Sequence, residues 1–201
     1  MKIVVEILTD RRYTYEEWLE LDTGDVRTEL IDGYLYKHVY TEVIDGEVYS
    51  FSAPNLFHQR ISGELFAHFR DYLKGKACEV FATINVKLEQ DTLFIPDLVV
   101  VCDKNKLDIK GCNGTPDLVI EILSPSTSRH DRITKLKVYR KAGVKEYWIV
   151  YPEEQYIDVY ILINDMYTIN TYDRNETIPV SIFPGFEINI KDIFQEQEID
   201  N

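Results

Sequence analysis

The sequence has few cysteines and no long apolar run. Its three cysteines, Cys78, Cys102 and Cys112, are odd in number and never spaced C-x-x-C, which argues against a disulfide framework or a thiolate zinc site. We therefore expect all three to be ordinary reduced residues. No apolar run reaches the roughly eighteen residues that a membrane-spanning helix needs. The N-terminal MKIVVEILTD lacks the long apolar region of a signal peptide, so we expect a cytoplasmic protein that does not enter a membrane.

Positive charge and metal-spaced histidines are also scarce. The chain has 22 lysines and arginines against 35 aspartates and glutamates, and its formal net charge is -13 at pH 7. Because phosphate backbones attract basic surfaces, this balance argues against indiscriminate nucleic-acid binding and requires a local basic patch for any specific binding. The four histidines form no H-E-x-x-H or other close metal-binding pair.

The remaining composition is that of a globular protein. Hydrophobic residues make up 45% of the 201 residues and charged residues 28%, which suits a single domain over residues 1–201 with a substantial core. Predicted elements follow the order helix, strands, helix, several strands, helix and further strands. This order predicts an α/β fold of the α+β type, with a mixed β-sheet flanked by helices.

Two helices and two hairpins have clear local signals. Ile61, Leu65, Phe69 and Leu73 recur at helical spacing and predict a helix from about Leu56 to Leu73. A second helix is predicted from about Asp131 to Ala142, with Gly143 placed to end it and with Ile133, Leu136 and Tyr139 facing the core. The dipeptides Asp32-Gly33 and Asp45-Gly46 predict tight turns between strands.

The runs LVVV and LVIEIL, each preceded by Pro-Asp, are typical of strands buried on both faces. On the second strand Asp117 and Glu121 point to the same face, but their Cα atoms are about 13 Å apart, which is too far for one cation to bridge. If the two strands are neighbours, about 4.8 Å apart, Asp97 and Glu121 meet instead. The spacing therefore favours Asp97 over Asp117 as the partner of Glu121.

Glu121 interrupts a strand that otherwise suits a central position. A buried carboxylate is costly unless it is paired or binds a metal. The residues alone leave three interpretations open: a metal ligand, a structural ion pair, or a strand edge that faces water.

A basic segment and one histidine complete the candidates. Seven lysines and arginines lie between Arg129 and Lys145, and this segment is either a solvated helix face or a phosphate-binding patch. His58, near the start of the first long helix and close to its apolar face, is interpreted as a packed or capping histidine rather than a ligand.

The segments ELIDGYLY, PDLVVVCD, PDLVIEILSPST and DRITKLKVYRKAGVKEYWIVYPE resemble the Uma-two family of restriction endonuclease-like proteins, a branch of the PD-(D/E)XK nuclease superfamily. The resemblance extends over roughly Tyr13 to Val159. It implies a restriction-endonuclease-like core, with Asp97 and Glu121 as active-site acids and metal ligands, and with the carbonyl of Ile122 as an additional ligand.

The same resemblance implies a lysine two residues after the glutamate, but that position is Leu123. The branch carries its lysine on the following helix, which corresponds to Lys135, and Glu29 in ELIDG matches a further acidic position.

The function implied is a Mg²⁺-dependent endonuclease, with Mn²⁺ as a substitute, that hydrolyses DNA phosphodiester bonds. The alternatives are a non-catalytic nucleic-acid-binding or protein-interaction module that keeps the nuclease fold, and a structural homodimer formed through the aromatic C-terminal strands.

Overall fold

The computed structural model describes residues 4–7, 11–14, 16–17, 20, 27–32, 34–44, 46–51, 55–89, 92–123 and 130–194. Within these ranges the strands are β1 Val4–Ile7, β2 Arg27–Ile31, β3 Tyr34–Ile44, β4 Glu47–Phe51, β5 Glu79–Ala82, β6 Asn85–Glu89, β7 Thr92–Phe94, β8 Leu98–Val101, β9 Leu107–Asp108, β10 Gly111–Asn113, β11 Leu118–Ile122, β12 Glu146–Tyr151, β13 Tyr156–Ile163, β14 Met166–Asp173, β15 Thr177–Pro179 and β16 Glu187–Asn189.

The α-helices whose bounds are both described are α1 Leu56–Leu73, α2 Leu136–Ala142 and α3 Ile190–Ile193. A 3-10 turn covers Lys104–Lys106, and a π-helical segment, His130–Lys135, leads directly into α2. No helix in the described part of the chain is long and apolar enough to cross a membrane.

A six-stranded mixed sheet lies at the centre of the fold, in the order β14-β13-β12-β11-β8-β5. The β11–β12 pair is parallel, and every other neighbouring pair in this sheet is antiparallel. A second, eight-stranded sheet is built around β3, and β15 and β16 form a separate antiparallel pair. The predicted mixed sheet with flanking helices is confirmed.

Helices cover both faces of the central sheet. Even-numbered residues of β8 and β11, such as Val100 and Leu118, pack in one cluster with Leu65 and Phe69 of α1. Odd-numbered residues such as Val99 and Val119 pack in a second cluster with Tyr139 of α2. Since every residue of β8 and β11 is buried, the prediction that both strands are covered on both faces is confirmed.

The first long helix begins and ends where the spacing predicted. Asn55 caps its N-terminus by accepting a hydrogen bond from the backbone N–H of His58, at 2.9 Å. Its buried stripe contains Ile61, Leu65 and Phe69, as expected from the helical period.

The second helix differs from the prediction in its first turn. It begins with the π-helical segment, and Gly143 ends it in the left-handed region at φ 83°. The expectation that Ile133 faces the core is wrong, because its side chain is 47% exposed. Ile133 lies inside the π-helical segment, whose i→i+5 bonding changes the period, so a 3.6-residue pattern misplaces it.

The expectation that all three cysteines are reduced is also wrong. Cys78 and Cys102 form a disulfide, while Cys112 is free and buried. The reason is the strand register: Glu79 pairs with Val101 in the antiparallel β5–β8 ladder, so the residues just beyond this pair lie next to each other. Their separation of 24 residues in sequence concealed this proximity.

Candidate active site

The antiparallel β8–β11 pair brings Asp97 to Glu121. Leu98 lies opposite Ile120 in this ladder, so Asp97, one residue before β8, faces the Glu121–Ile122 segment. The Asp97 carboxylate accepts a hydrogen bond through Oδ2 from the backbone N–H of Ile122, at 2.8 Å. The sequence predicted that these acids meet if β8 and β11 are neighbouring strands, and the two strands are neighbours.

Asp117 has the same structural role at the opposite end of the strand pair. Its Oδ2 accepts a hydrogen bond from the backbone N–H of Cys102, also at 2.8 Å. Antiparallel strands are related by a local two-fold axis, and this axis exchanges the two Pro-Asp segments. Each carboxylate supplies an acceptor for a backbone N–H beyond the end of the ladder, which explains why the letters PDLV occur twice.

The surroundings of the two aspartates differ. At the Asp117 end the partner is Lys145, whose Nζ lies 2.7 Å from Oδ1 and whose side chain is 65% exposed. At the Asp97 end lies the buried Glu121, 4% exposed. Among the described residues, the Asp97 end therefore has a buried carboxylate beside the aspartate, whereas the Asp117 end has an exposed lysine.

Lys135 is delivered to Glu121 by the π-helical segment. Its Nζ lies 3.0 Å from Oε1 of Glu121, and both side chains are buried. Leu123, the position at which the family resemblance implies a lysine, is buried in the hydrophobic cluster beneath α2. The ammonium group that the strand lacks thus reaches the carboxylate from the helix.

Sequence reasoning placed Tyr139 in the core and missed its polar contact. Its hydroxyl donates to Oε1 of Glu121 at 3.0 Å, while its ring packs against Phe94 and Tyr147 with centroid distances of 5.0 Å. The spacing of Lys135 and Tyr139 contained the signal, since residues four apart lie on one face of a helix.

Sequence reasoning also missed the contact of His58 with the site. The side chain is buried as expected, but its Nε2 lies 3.1 Å from Oδ1 of Asp97. The spacing of His58, Ile61 and Leu65, at i, i+3 and i+7, places the histidine on the apolar stripe of the helix. A polar residue in that stripe was the sequence feature that could have indicated the contact.

Glu29 and Ile122 are the remaining predicted site residues. Glu29 lies in β2 opposite Tyr36, and its side chain is outside the described part of the structure. Ile122 donates its N–H to Asp97, and the use of its carbonyl as a metal ligand stays a prediction.

The donor set fits a hard divalent cation. Mg²⁺ is usually held by one or two protein carboxylates while it keeps several water molecules, and Mn²⁺ accepts the same oxygen ligands. Asp97 and Glu121 supply two carboxylates, and the Asp97 side chain is 23% exposed, which leaves it accessible from solvent. Among the residues whose side chains are described, no group of three or more His, Cys, Asp or Glu could hold a metal ion.

Basic side chains lie on the outer face of α2. Lys137, Arg140 and Lys141 are exposed and follow i, i+3, i+4 spacing. Two other lysines of the basic segment are paired with acids, Lys135 with Glu121 and Lys145 with Asp117. Three exposed cations therefore lie together on the outer face of α2.

Comparison with known proteins gives matches of three kinds. The model of the Uma2 family, described as "Putative restriction endonuclease", matches residues 36–191. An uncharacterized protein of Synechocystis sp. (strain ATCC 27184 / PCC 6803 / Kazusa) is 30% identical over 128 residues, which are 62% of this chain and 65% of that protein. The match thus spans less than two thirds of the cyanobacterial relative.

The crystal structure of a "putative nuclease belonging to DUF820" from Anabaena variabilis ATCC 29413 is similar in fold. The TM-score is 0.65 at 23% sequence identity, over 90% of this chain and 97% of the other. At this level of identity the similarity establishes a shared fold.

Proposed function

We propose that this chain, which belongs to the Uma2 family of restriction endonuclease-like proteins, is a Mg²⁺-dependent endonuclease. Its proposed reaction is the hydrolysis of DNA phosphodiester bonds. The observation that carries the proposal is the convergence of Asp97, Glu121 and Lys135 at one end of the β8–β11 pair. Two acids can hold a divalent cation, and a lysine beside them can stabilise the negative charge that develops on a phosphate, so this set suits metal-assisted phosphodiester hydrolysis.

Asp97 and Glu121 would hold the cation, with the carbonyl of Ile122 as a further ligand. A divalent cation in this position supplies Lewis acidity toward the phosphate and lowers the pKa of a bound water molecule. The hydrogen bond from the Ile122 N–H fixes one oxygen of Asp97, and Tyr139 fixes Oε1 of Glu121. Both carboxylates are therefore held in place before a ligand arrives, which reduces the cost of binding.

Lys135 would orient the attacking water or stabilise the negative charge that develops on the phosphate. Its burial supports this role, because an ammonium group in a water-excluded site interacts more strongly with developing charge than one in solvent. Glu29 is proposed as an additional acidic group of the same site.

The proposed substrate is DNA, which the exposed cations of α2 would contact through phosphate groups. Lys137, Arg140 and Lys141 supply local attraction in a protein of net charge -13. The cytoplasmic location and the single domain over residues 1–201 stay predictions of the sequence.

The second candidate function is a non-catalytic module that keeps the nuclease fold. The observation that favours it is the buried ion pair of Lys135 and Glu121. A carboxylate neutralised by a lysine is a complete structural unit by itself, and Leu123 removes the lysine from its usual strand position.

The experiment that separates the two candidates is the nicking of supercoiled DNA with Mg²⁺ or Mn²⁺, using wild type, Asp97→Ala, Glu121→Ala and the exposed-carboxylate control Glu154→Ala. We expect nicking by wild type and by the control, and none by the two site variants or in the presence of a chelator. Metal-dependent nicking that survives both site substitutions would refute the assignment. A wild type that stays folded and leaves DNA intact with either metal would favour the non-catalytic module.

A further inference from the structure

His58 touches the candidate site through Asp97. It lies in the first turn of α1, where Asn55 accepts a hydrogen bond from its backbone N–H. Its side chain reaches across to the strand pair and places Nε2 3.1 Å from Oδ1 of Asp97. Helix α1 is thus linked to the start of β8 by one polar side-chain contact.

The chemistry of the two groups determines the direction of this contact. An ionised carboxylate only accepts hydrogen bonds, so the imidazole donates from Nε2. Asp97 then receives one donor on each oxygen, from His58 on Oδ1 and from the Ile122 N–H on Oδ2. A carboxylate anchored through both oxygens cannot rotate about its Cβ–Cγ bond without breaking a hydrogen bond.

The other ring nitrogen of His58 shows that packing alone does not explain the residue. Nδ1 is buried and has no hydrogen-bond partner among the described residues. A buried polar atom without a partner is destabilising, and an apolar side chain on the stripe of Ile61 and Leu65 would avoid that cost. Buried unsatisfied groups of this kind are expected where a functional demand outweighs stability.

We propose that His58 is a positioning residue whose Nε2–H fixes the Asp97 carboxylate in the orientation needed to bind the cation together with Glu121. This inference rests on the proposed nuclease function, because it assigns His58 a task at the same metal site. In this proposal His58 acts through Asp97 and is not itself a ligand.

The first measurement needs no metal. Long-range ¹H–¹⁵N NMR spectra of the metal-free protein report which ring nitrogen of His58 carries the proton. We expect the proton on Nε2, and a clear shift of this resonance in Asp97→Ala. A ring protonated on Nδ1 alone would overturn the proposal.

The second measurement is calorimetric titration with Mn²⁺ of wild type, His58→Ala, His58→Gln and the control His68→Ala on the same helix. Removing a residue that orients a metal ligand weakens metal binding by about 10–100-fold, and we expect this loss in His58→Ala. His58→Gln keeps an N–H at a similar reach and is expected to recover most of the affinity, while His68→Ala leaves it unchanged.

Three results would overturn the inference. They are wild-type affinity in His58→Ala, failure of a folded His58→Gln to recover affinity, and ¹⁴N coupling from a directly bound imidazole in the electron spin echo spectrum of Mn²⁺. A wild type that binds no Mn²⁺ but carries the proton on Nε2 would instead refute the proposed function and uphold the pairing of His58 with Asp97.

Discussion

Replacing Asp97 and Asp117 one at a time with alanine separates a structural role that both residues share from a functional role proposed for Asp97 alone. Each substitution removes one hydrogen bond from a backbone N–H to a carboxylate, with a distance of 2.8 Å in both cases. Because the two sites are related by the local two-fold axis of the β8–β11 pair, each variant is a matched control for the other.

The expected loss of stability follows from the lost contacts. A hydrogen bond to a charged acceptor contributes about 1.5–3 kcal/mol. Each variant also loses a second contact. Asp117→Ala loses the Lys145 ion pair, worth at most about 1 kcal/mol since the lysine is 65% exposed. Asp97→Ala loses the hydrogen bond from His58, worth about 1 kcal/mol. Both variants should therefore lose about 2–4 kcal/mol of unfolding free energy. At roughly 2–4 °C per kcal/mol for a chain of this size, their Tm values should fall by about 4–16 °C.

Metal binding and DNA cleavage should differ between the two variants although their unfolding free energies are similar. Calorimetry with Mn²⁺ and nicking of supercoiled DNA, at a temperature where both variants are folded, should show binding and cleavage for Asp117→Ala and neither for Asp97→Ala. Loss of cleavage in folded Asp117→Ala, or its retention in Asp97→Ala, would refute the reasoning. A much larger fall in Tm for one variant would contradict the shared structural role.

Three further predictions concern buried groups. Lys135→Met removes the ammonium group that pairs with the buried Glu121 carboxylate, and should lower the unfolding free energy by about 3–5 kcal/mol in urea denaturation. The exposed control Lys137→Met should change it by less than about 0.5 kcal/mol. Tyr139→Phe removes the hydroxyl that donates to Glu121 but keeps the ring, and should cost about 1.5–3 kcal/mol in the same assay. Burial raises the pKa of Glu146 above its ordinary value of 4.5, so the folded state holds this proton more tightly than the unfolded chain. Its contribution to stability is complete below pH 4.5 and is lost as pH rises through the folded-state pKa, so Glu146→Gln should gain stability relative to wild type across that window.

Each of these predictions has a result that contradicts it. Equal losses of unfolding free energy in Lys135→Met and Lys137→Met would show that the buried ion pair contributes no more to stability than an exposed lysine. A Tyr139→Phe variant as stable as wild type would show that the hydrogen bond from this hydroxyl to Glu121 adds nothing to the unfolding free energy. Parallel pH curves for wild type and Glu146→Gln would show that Glu146 titrates alike in the folded and unfolded chains.

Local signals in the sequence predicted much of the fold. The apolar stripe from Ile61 to Leu73 determines the length of α1 because a helix buries one face at a fixed period. The continuous apolar runs of β8 and β11 indicate burial on both faces, since a strand with one wet face would alternate. Gly143 marks the end of α2 because the left-handed conformation there is unfavourable for other residues.

Only some residues of the candidate site could be predicted, because most of its contacts join elements that are distant in sequence. Asp97 and Glu121 follow from strand geometry once the strands are neighbours, but no local pattern states which strands pair. Lys135 came from resemblance to a family, because a helix position carries no information about the strand it covers. The contact of His58 with Asp97 and that of Tyr139 with Glu121 depend on how α1 and α2 sit on the sheet. The Cys78–Cys102 disulfide depends in the same way on the β5–β8 register.

The sequence by itself determined the elements and identified two Pro-Asp strand starts as candidates for one acidic site. The tertiary structure decided what each aspartate has beside it. Both cap the same strand pair, but the ends differ because Glu121, His58 and the helix that carries Lys135 meet only at the Asp97 end. Contacts of that kind join residues distant along the chain, and their free energy depends on the packing of whole elements rather than on any local run of residues.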